Sequence, residues 1–243
     1  MTTVTTQNPV RTDLDTIRGD VDHRSAGSRL WAVAGIGAAV TGAATIVTST
    51  AAGFVYEDRF DHGSVTGMAD ALGDKTAVLF AFHSITALSA ALMLVFAAGL
   101  SRRLRSTTGE SLAPLVALVA LAGNAVVSVL GSGLDTEFMM PAGQGATIDD
   151  GSAAWYGHWI GTIPWLWTLA GVAGLAVFAA GRSGAVPRWL GIVGLVLGGL
   201  TVLVGVSPLE YLSGATGVLW LLVTAVGFTV GDRSFRQASF AGR

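Results

Sequence analysis

Cysteine is absent from the 243 residues. Its absence excludes disulfides, thiolate metal sites and a cysteine nucleophile, and removes cysteine as a clue to redox compartment. Charge is scarce: Asp, Glu, Lys and Arg make up 12% of the chain, against roughly 25% in a soluble domain. Lysine occurs once, as Lys75. A formal net charge of −2 excludes a generally basic nucleic-acid binder. What fills the space is apolar: 51% of residues are hydrophobic and the mean hydropathy is +0.61. Too little polar surface remains to cover a water-soluble globule, so composition alone assigns a membrane protein.

Six apolar runs follow a polar tail over residues 1–30. They are Trp31–Val55, Thr76–Leu100, Leu112–Leu134, Trp155–Ala180, Trp189–Val206 and Tyr211–Val230. Each is long enough to cross a hydrocarbon core of about 30 Å at about 1.5 Å per residue. Backbone polar groups in lipid must be satisfied within the segment, so each run is expected to be a helix despite its β-branched valines. The predicted fold class is all-α: a six-helix transmembrane bundle over residues 31–231, closed by a short tail, 232–243. The mixed-charge N-terminal tail is too acidic for an ordinary signal peptide, with at most a short helix around Asp13–Val21. The small residues Ser49–Ala51 keep cleavage after the first span as an alternative.

Arg and Lys orient the bundle. With the N-terminus inside, Arg11, Arg18, Arg24, Arg29, Arg102, Arg103, Arg105, Arg182, Arg188, Arg233, Arg236 and Arg243 are cytoplasmic, and Arg59 and Lys75 lie outside. Twelve against two is a strong positive-inside bias, and it places both termini in the cytoplasm. Acidic residues lean the other way. The tyrosines Tyr56, Tyr156 and Tyr211 all fall at outer ends of spans, which reads as an aromatic belt at headgroup level. Two long outer segments, Tyr56–Lys75 and Asp135–Ala154, are where specificity is expected. In the first, VTGMADAL has the pattern of one or two helical turns at the membrane surface; the second, rich in Gly and carrying Pro141, is expected to be irregular.

None of the six runs contains Asp, Glu, Lys or Arg. Proton pumps and ion-coupled transporters generally place such a residue in the bundle, a voltage sensor needs intramembrane arginines, and a retinal Schiff base needs a deep lysine, so all three classes are disfavoured. His83 is the exceptional group, about 10 Å into the second helix from its outer end. Asn124 and Ser128 reach similar depth on the antiparallel third helix, and a hydrogen-bonded polar cluster of His83, Asn124 and Ser128 is the leading reading. The alternative makes His83 a ligand to a metal, haem or quinone, since imidazole is the right ligand type. His158 lies about 9 Å shallower, so a shared metal requires the fourth helix to bend.

Ala117, Ala120, Asn124, Ser128, Gly131 and Asp135 recur at three- or four-residue spacing and mark the face of the third helix that looks into the bundle. Pro164 is expected to kink the fourth helix and free a carbonyl. Gly194 and Gly198 form a GxxxG, which serves packing within the chain or a homo-oligomer interface. A looser outer cluster gathers His62, Asp135, Glu137, His158 and Glu210, with Asp61 beside His62; it has metal-compatible groups without the fixed spacing of a metal motif. Met139 and Met140 read as interfacial packing rather than a soft-metal site. No phosphate loop, GxSxG or Ser/His/Asp arrangement is evident.

The stretches WIGTIPWLWTLAG, GRSGAVPRWLGIVGLVLGGL and SPLEYLSGATGVLWLL give the last ninety or so residues a style that resembles small, uncharacterised polytopic membrane proteins of high-GC bacteria. The resemblance implies a bacterial inner membrane and carries over no functional residue. The expected function is a non-enzymatic accessory, assembly or sensor-like subunit that binds a membrane protein partner, with no cofactor. The alternatives are a permease or channel for a neutral or apolar molecule, and a haem-, quinone- or metal-bearing redox protein using His83.

Overall fold

The computed structural model describes residues 30–60, 64–144 and 148–230. The tails, His62 and Asp61, and the expected short helix at Asp13–Val21 lie outside the described residues. Within them the chain is all-helical, and six helices are long and apolar enough to cross a membrane.

The first span is α1 (Leu30–Ala51). It stops four residues short of the expected end, because the chain turns through a 3-10 segment that buries Phe54 and Val55 sideways. A short helix, α2 (Met68–Asp74), occupies the VTGMADAL segment. The second and third spans are α3 (Thr76–Thr108) and α4 (Ala113–Gly143). The fourth is composite: α5 (Asp150–Gly161), a 3-10 turn over Ile163–Trp167, then α6 (Thr168–Arg182). The fifth joins α7 (Arg188–Val193) to α8 (Gly199–Gly205) through a π-helical turn at Gly194–Gly198. The sixth is α9 (Leu212–Val230).

The helices close a ring. α1 packs on α3, α3 on α4, α4 on α6, α6 on the fifth span, and α9 returns to α1. Lipid is as apolar as leucine, so close approach rather than burial from water holds such helices together. Gly194 and Gly198 show it directly. A Cβ on Gly198 would stand 2.9 Å from the Gly171 carbonyl oxygen, and one on Gly194 would run into the Gly174 carbonyl. The GxxxG face is therefore taken up within the chain, and a homo-oligomer through these glycines has no free surface there.

α4 departs most from expectation. The helix does not end at Leu134 but continues nine residues further, to Gly143. Pro141 lies inside the helix near its C-terminal end, where its missing N–H takes the i+4 donor from the carbonyl of the exposed Glu137. The irregular loop expected over Asp135–Ala154 shrinks to the short link before α5. All six positions of the small and polar stripe on α4, Ala117 through Asp135, are buried.

Two apolar cores result. One runs down the bundle around Trp31, Phe96, Trp167 and Trp220. The other lies at the opposite end from Arg102 and Arg188, where Phe54, Leu72, Phe82, Met139, Tyr156 and Ile160 are buried together. This second core draws on both long loops and forms a cap. Where the cap meets water, each fully buried Phe or Leu contributes about 1.5–3 kcal/mol.

Candidate functional site

The cap is tied to the bundle through polar groups. Asp150, the first residue of α5, accepts the backbone N–H of Gly67 (3.1 Å, Oδ2) and of Ala69 (2.9 Å, Oδ1). Gly67 holds φ +86°, a left-handed conformation that favours glycine and aims both amides at the carboxylate. One side chain therefore caps α2 and joins the two loops. Asp149 caps its own helix by accepting the Ser152 N–H at 2.9 Å; hydrogen bonding with the Ser152 side chain, and then this backbone bond, hold its carboxyl below the usual carboxylate range. Lys75 and Glu57 add a 3.5 Å ion pair, part-exposed and worth little.

Beneath the cap sits a buried carboxylate. Asp135 is fully buried on α4 and accepts a 2.8 Å hydrogen bond from the Tyr156 hydroxyl through Oδ1. Its Oδ2 has no partner among the described residues. Tyr156 is also fully buried and stacks on Phe138, with ring centroids 4.5 Å apart. It is thus buried within the protein, and not a ring facing lipid headgroups as its place at the end of an apolar run suggested. Its hydroxyl is spent inside the protein.

One helical turn below Asp135, the Ser132 carbonyl accepts a 2.8 Å bond from His83 Nδ1. A carbonyl can only accept, so Nδ1 carries the proton of this bond. The expected partners of His83, Asn124 and Ser128, are engaged elsewhere. Asn124 Nδ2 donates to the Leu166 carbonyl at 3.1 Å, and Ser128 Oγ donates to the Asn124 carbonyl at 2.9 Å. The three residues do not form one hydrogen-bonded cluster. Their bonds run along α4 in separate steps.

Pro164 explains the Asn124 bond. The 3-10 turn it opens frees carbonyls in mid-helix. Leu166 O accepts the Asn124 amide beside the Thr168 N–H, and Pro164 O accepts a 2.8 Å bond from Ser213 Oγ on α9. The kink thus pins the fourth span to the third and the sixth. Around it, Thr45, Thr86, Ser89, Asn124 and Ser128 border an enclosed void of about 10 Å³, room for about one water molecule.

Among the described residues the outer cluster does not assemble. Asp135 is buried, while Glu137 is exposed on another face of α4. His158 is exposed with its ring edge-on to Tyr56, centroids 5.9 Å apart, and Glu210 lies in the turn before α9. Among the described residues no three His, Asp or Glu side chains are grouped as metal ligands. Met139 is buried in the cap core and Met140 is half-exposed.

No sequence pattern marks the open cleft of about 380 Å³ beside the cap, lined by Ser49, Thr50, Gly53, Tyr56, Gly161, Pro164 and Tyr211. The Tyr56 and Tyr211 hydroxyls meet across it at 3.2 Å. Partial burial and then the hydrogen bond with Tyr211 push the Tyr56 phenol up to about 12. Comparison with known protein families, characterised proteins and solved structures finds no match for the chain.

Proposed function

We propose that the chain is a non-enzymatic accessory or sensor-like subunit of a bacterial inner membrane, both termini cytoplasmic, which binds a membrane protein partner through its outer cap. The observation that carries this reading is the cap itself. Two loops far apart in sequence are fused into one apolar core and locked by Asp150, which presents a preorganised surface on a six-helix base. Preorganisation reduces the ordering cost of binding. The positive-inside bias supports the orientation. The permease reading has less support because it needs a path among the second, third and fourth spans, where among the described residues the void bordered by Asn124 and Ser128 measures about 10 Å³.

The test uses the full chain in its native membrane. A photo-crosslinking residue at Val65 or Thr66, both exposed on the cap, should give one discrete protein adduct that is lost in Asp150→Ala. The same group at Val119, exposed on the bundle wall, should give none. Lipid adducts alone at the cap, together with solute flux through the reconstituted protein, would transfer the assignment to a permease. Orientation is read separately. With no native cysteine, Ser64→Cys should react with an impermeant thiol reagent from outside intact cells and Ser106→Cys should not; the reverse pattern would invert the topology.

A further inference from the structure

At the end of the bundle away from the cap, α6 finishes on Arg182 and α7 begins on Arg188. The five residues between them turn through Gly184, which has φ +76°. Gly181 and Gly191 bring the two backbones together: a Cβ on Gly181 would stand 3.0 Å from the Gly191 Cα. This contact leaves a cleft of about 340 Å³ with a backbone floor at Gly181 and Gly191, apolar walls at Phe178 and Ile192, and the two arginines at its edge. Both arginines are exposed, and among the described residues neither has an ion-pair or hydrogen-bond partner. Ile192 is 59% exposed and Trp189, next in the chain to Arg188, is 44% exposed.

We propose that this cleft holds the phosphate-bearing headgroup of an anionic membrane lipid. The charges specify an anion. Guanidinium forks bind phosphate oxygens bidentately, and two of them converge on one recess. The walls specify that the anion is attached to a chain, because Phe178 and Ile192 offer apolar surface that a hydrated inorganic ion would not use. Tryptophan at the same level matches the headgroup zone. A basic recess between two spans is also the geometry expected of a headgroup site, as distinct from a diffuse basic stretch such as Arg102–Arg105. The site is independent of the partner-binding role of the cap at the other end.

The experiment is native mass spectrometry of the full chain in phosphatidylcholine nanodiscs, titrated with short-chain phosphatidylglycerol. The expected result is a saturable phosphatidylglycerol adduct that Arg182→Gln/Arg188→Gln weakens roughly tenfold or more. Arg102→Gln/Arg103→Gln should leave it in place. Ile192→Trp, which narrows the recess and keeps both charges, should also weaken it and guards against a folding defect in the arginine variant. Inorganic phosphate at matching concentration should not displace the lipid. Displacement by phosphate would reassign the site to a soluble anion and overturn the lipid proposal. Equal binding of phosphatidylcholine, or an adduct indifferent to the Arg182/Arg188 substitutions, would overturn it outright.

Discussion

The Tyr156 hydroxyl donates to Asp135 Oδ1 over 2.8 Å, and both side chains are fully buried. The pair joins the end of the third span to the start of the fourth, just where the bundle gives way to the cap. Tyr156→Phe keeps the ring and its stack on Phe138 but strips the carboxylate of this donor. The expected loss is about 1–3 kcal/mol, the desolvation cost of a buried polar group left unpaired. Replacing both partners, Tyr156→Phe with Asp135→Leu, should be less destabilising than Tyr156→Phe alone, because no carboxylate then remains to be satisfied. Denaturant unfolding in detergent micelles reads both variants together with Asp135→Leu alone; strictly additive losses would show that the two groups are not coupled.

Glycines in two different spans should respond in opposite ways. At Gly194 a methyl group would enter the Gly174 carbonyl, so Gly194→Ala must spread the fourth and fifth spans and is expected to cost about 1–3 kcal/mol. At Gly133, inside α4, a Cβ meets nothing within 4 Å. Gly133→Ala should be neutral or stabilising by up to about 1 kcal/mol, through helix propensity alone. Thermal midpoints of the two variants in one detergent make the comparison, and equal effects would mean that contact with Gly174 does not set the packing.

The six spans were legible because a bilayer demands long apolar helices and lets little else cross. Their ends were not. An aspartate after an apolar run reads as the start of a loop, yet α4 carries Asp135 inside the helix and buries it. What hides this is the partner: Tyr156 lies across a turn and looks, by sequence, like a headgroup tyrosine. A signal existed, since Asp135 continues the three- and four-residue spacing of Asn124, Ser128 and Gly131 along one face. The Asp150 lock had none, because its acceptor oxygens meet backbone amides more than eighty residues away, and backbone amides are the same in every sequence.

The tyrosine pair at the cleft predicts an alkaline titration. Tyr56 is held up to about 12, first by partial burial and then by its bond with Tyr211, against an ordinary value of about 10. A folded-state pKa raised above the unfolded one gives stability that is complete below pH ~10 and is lost as pH rises toward ~12, because the unfolded chain gives up its proton first. In an ultraviolet phenolate titration of the folded protein, the step removed by Tyr56→Phe should fall near pH 12. Tyr211→Phe should move that step down. A Tyr56 step at the ordinary position would show that the two hydroxyls do not meet.

Asn124 tests whether the Pro164 kink is held by its neighbours. Its amide donates to Leu166 O, a carbonyl in the 3-10 turn that Pro164 opens, while Ser213 covers Pro164 O from the other side. Asn124→Leu has similar volume and removes the side-chain donor to the Leu166 carbonyl, which keeps only the Thr168 N–H, so detergent stability should fall by about 0.5–1.5 kcal/mol. Ser213→Ala should cost a comparable amount by exposing the second carbonyl. If the kink is clamped from both sides, the double variant should lose more than the sum, since with neither donor present the turn can shift and disturb the packing of Trp167. A double loss equal to or below the sum would mean that proline geometry alone fixes the bend, with Asn124 and Ser213 as independent hydrogen bonds on a shape already set.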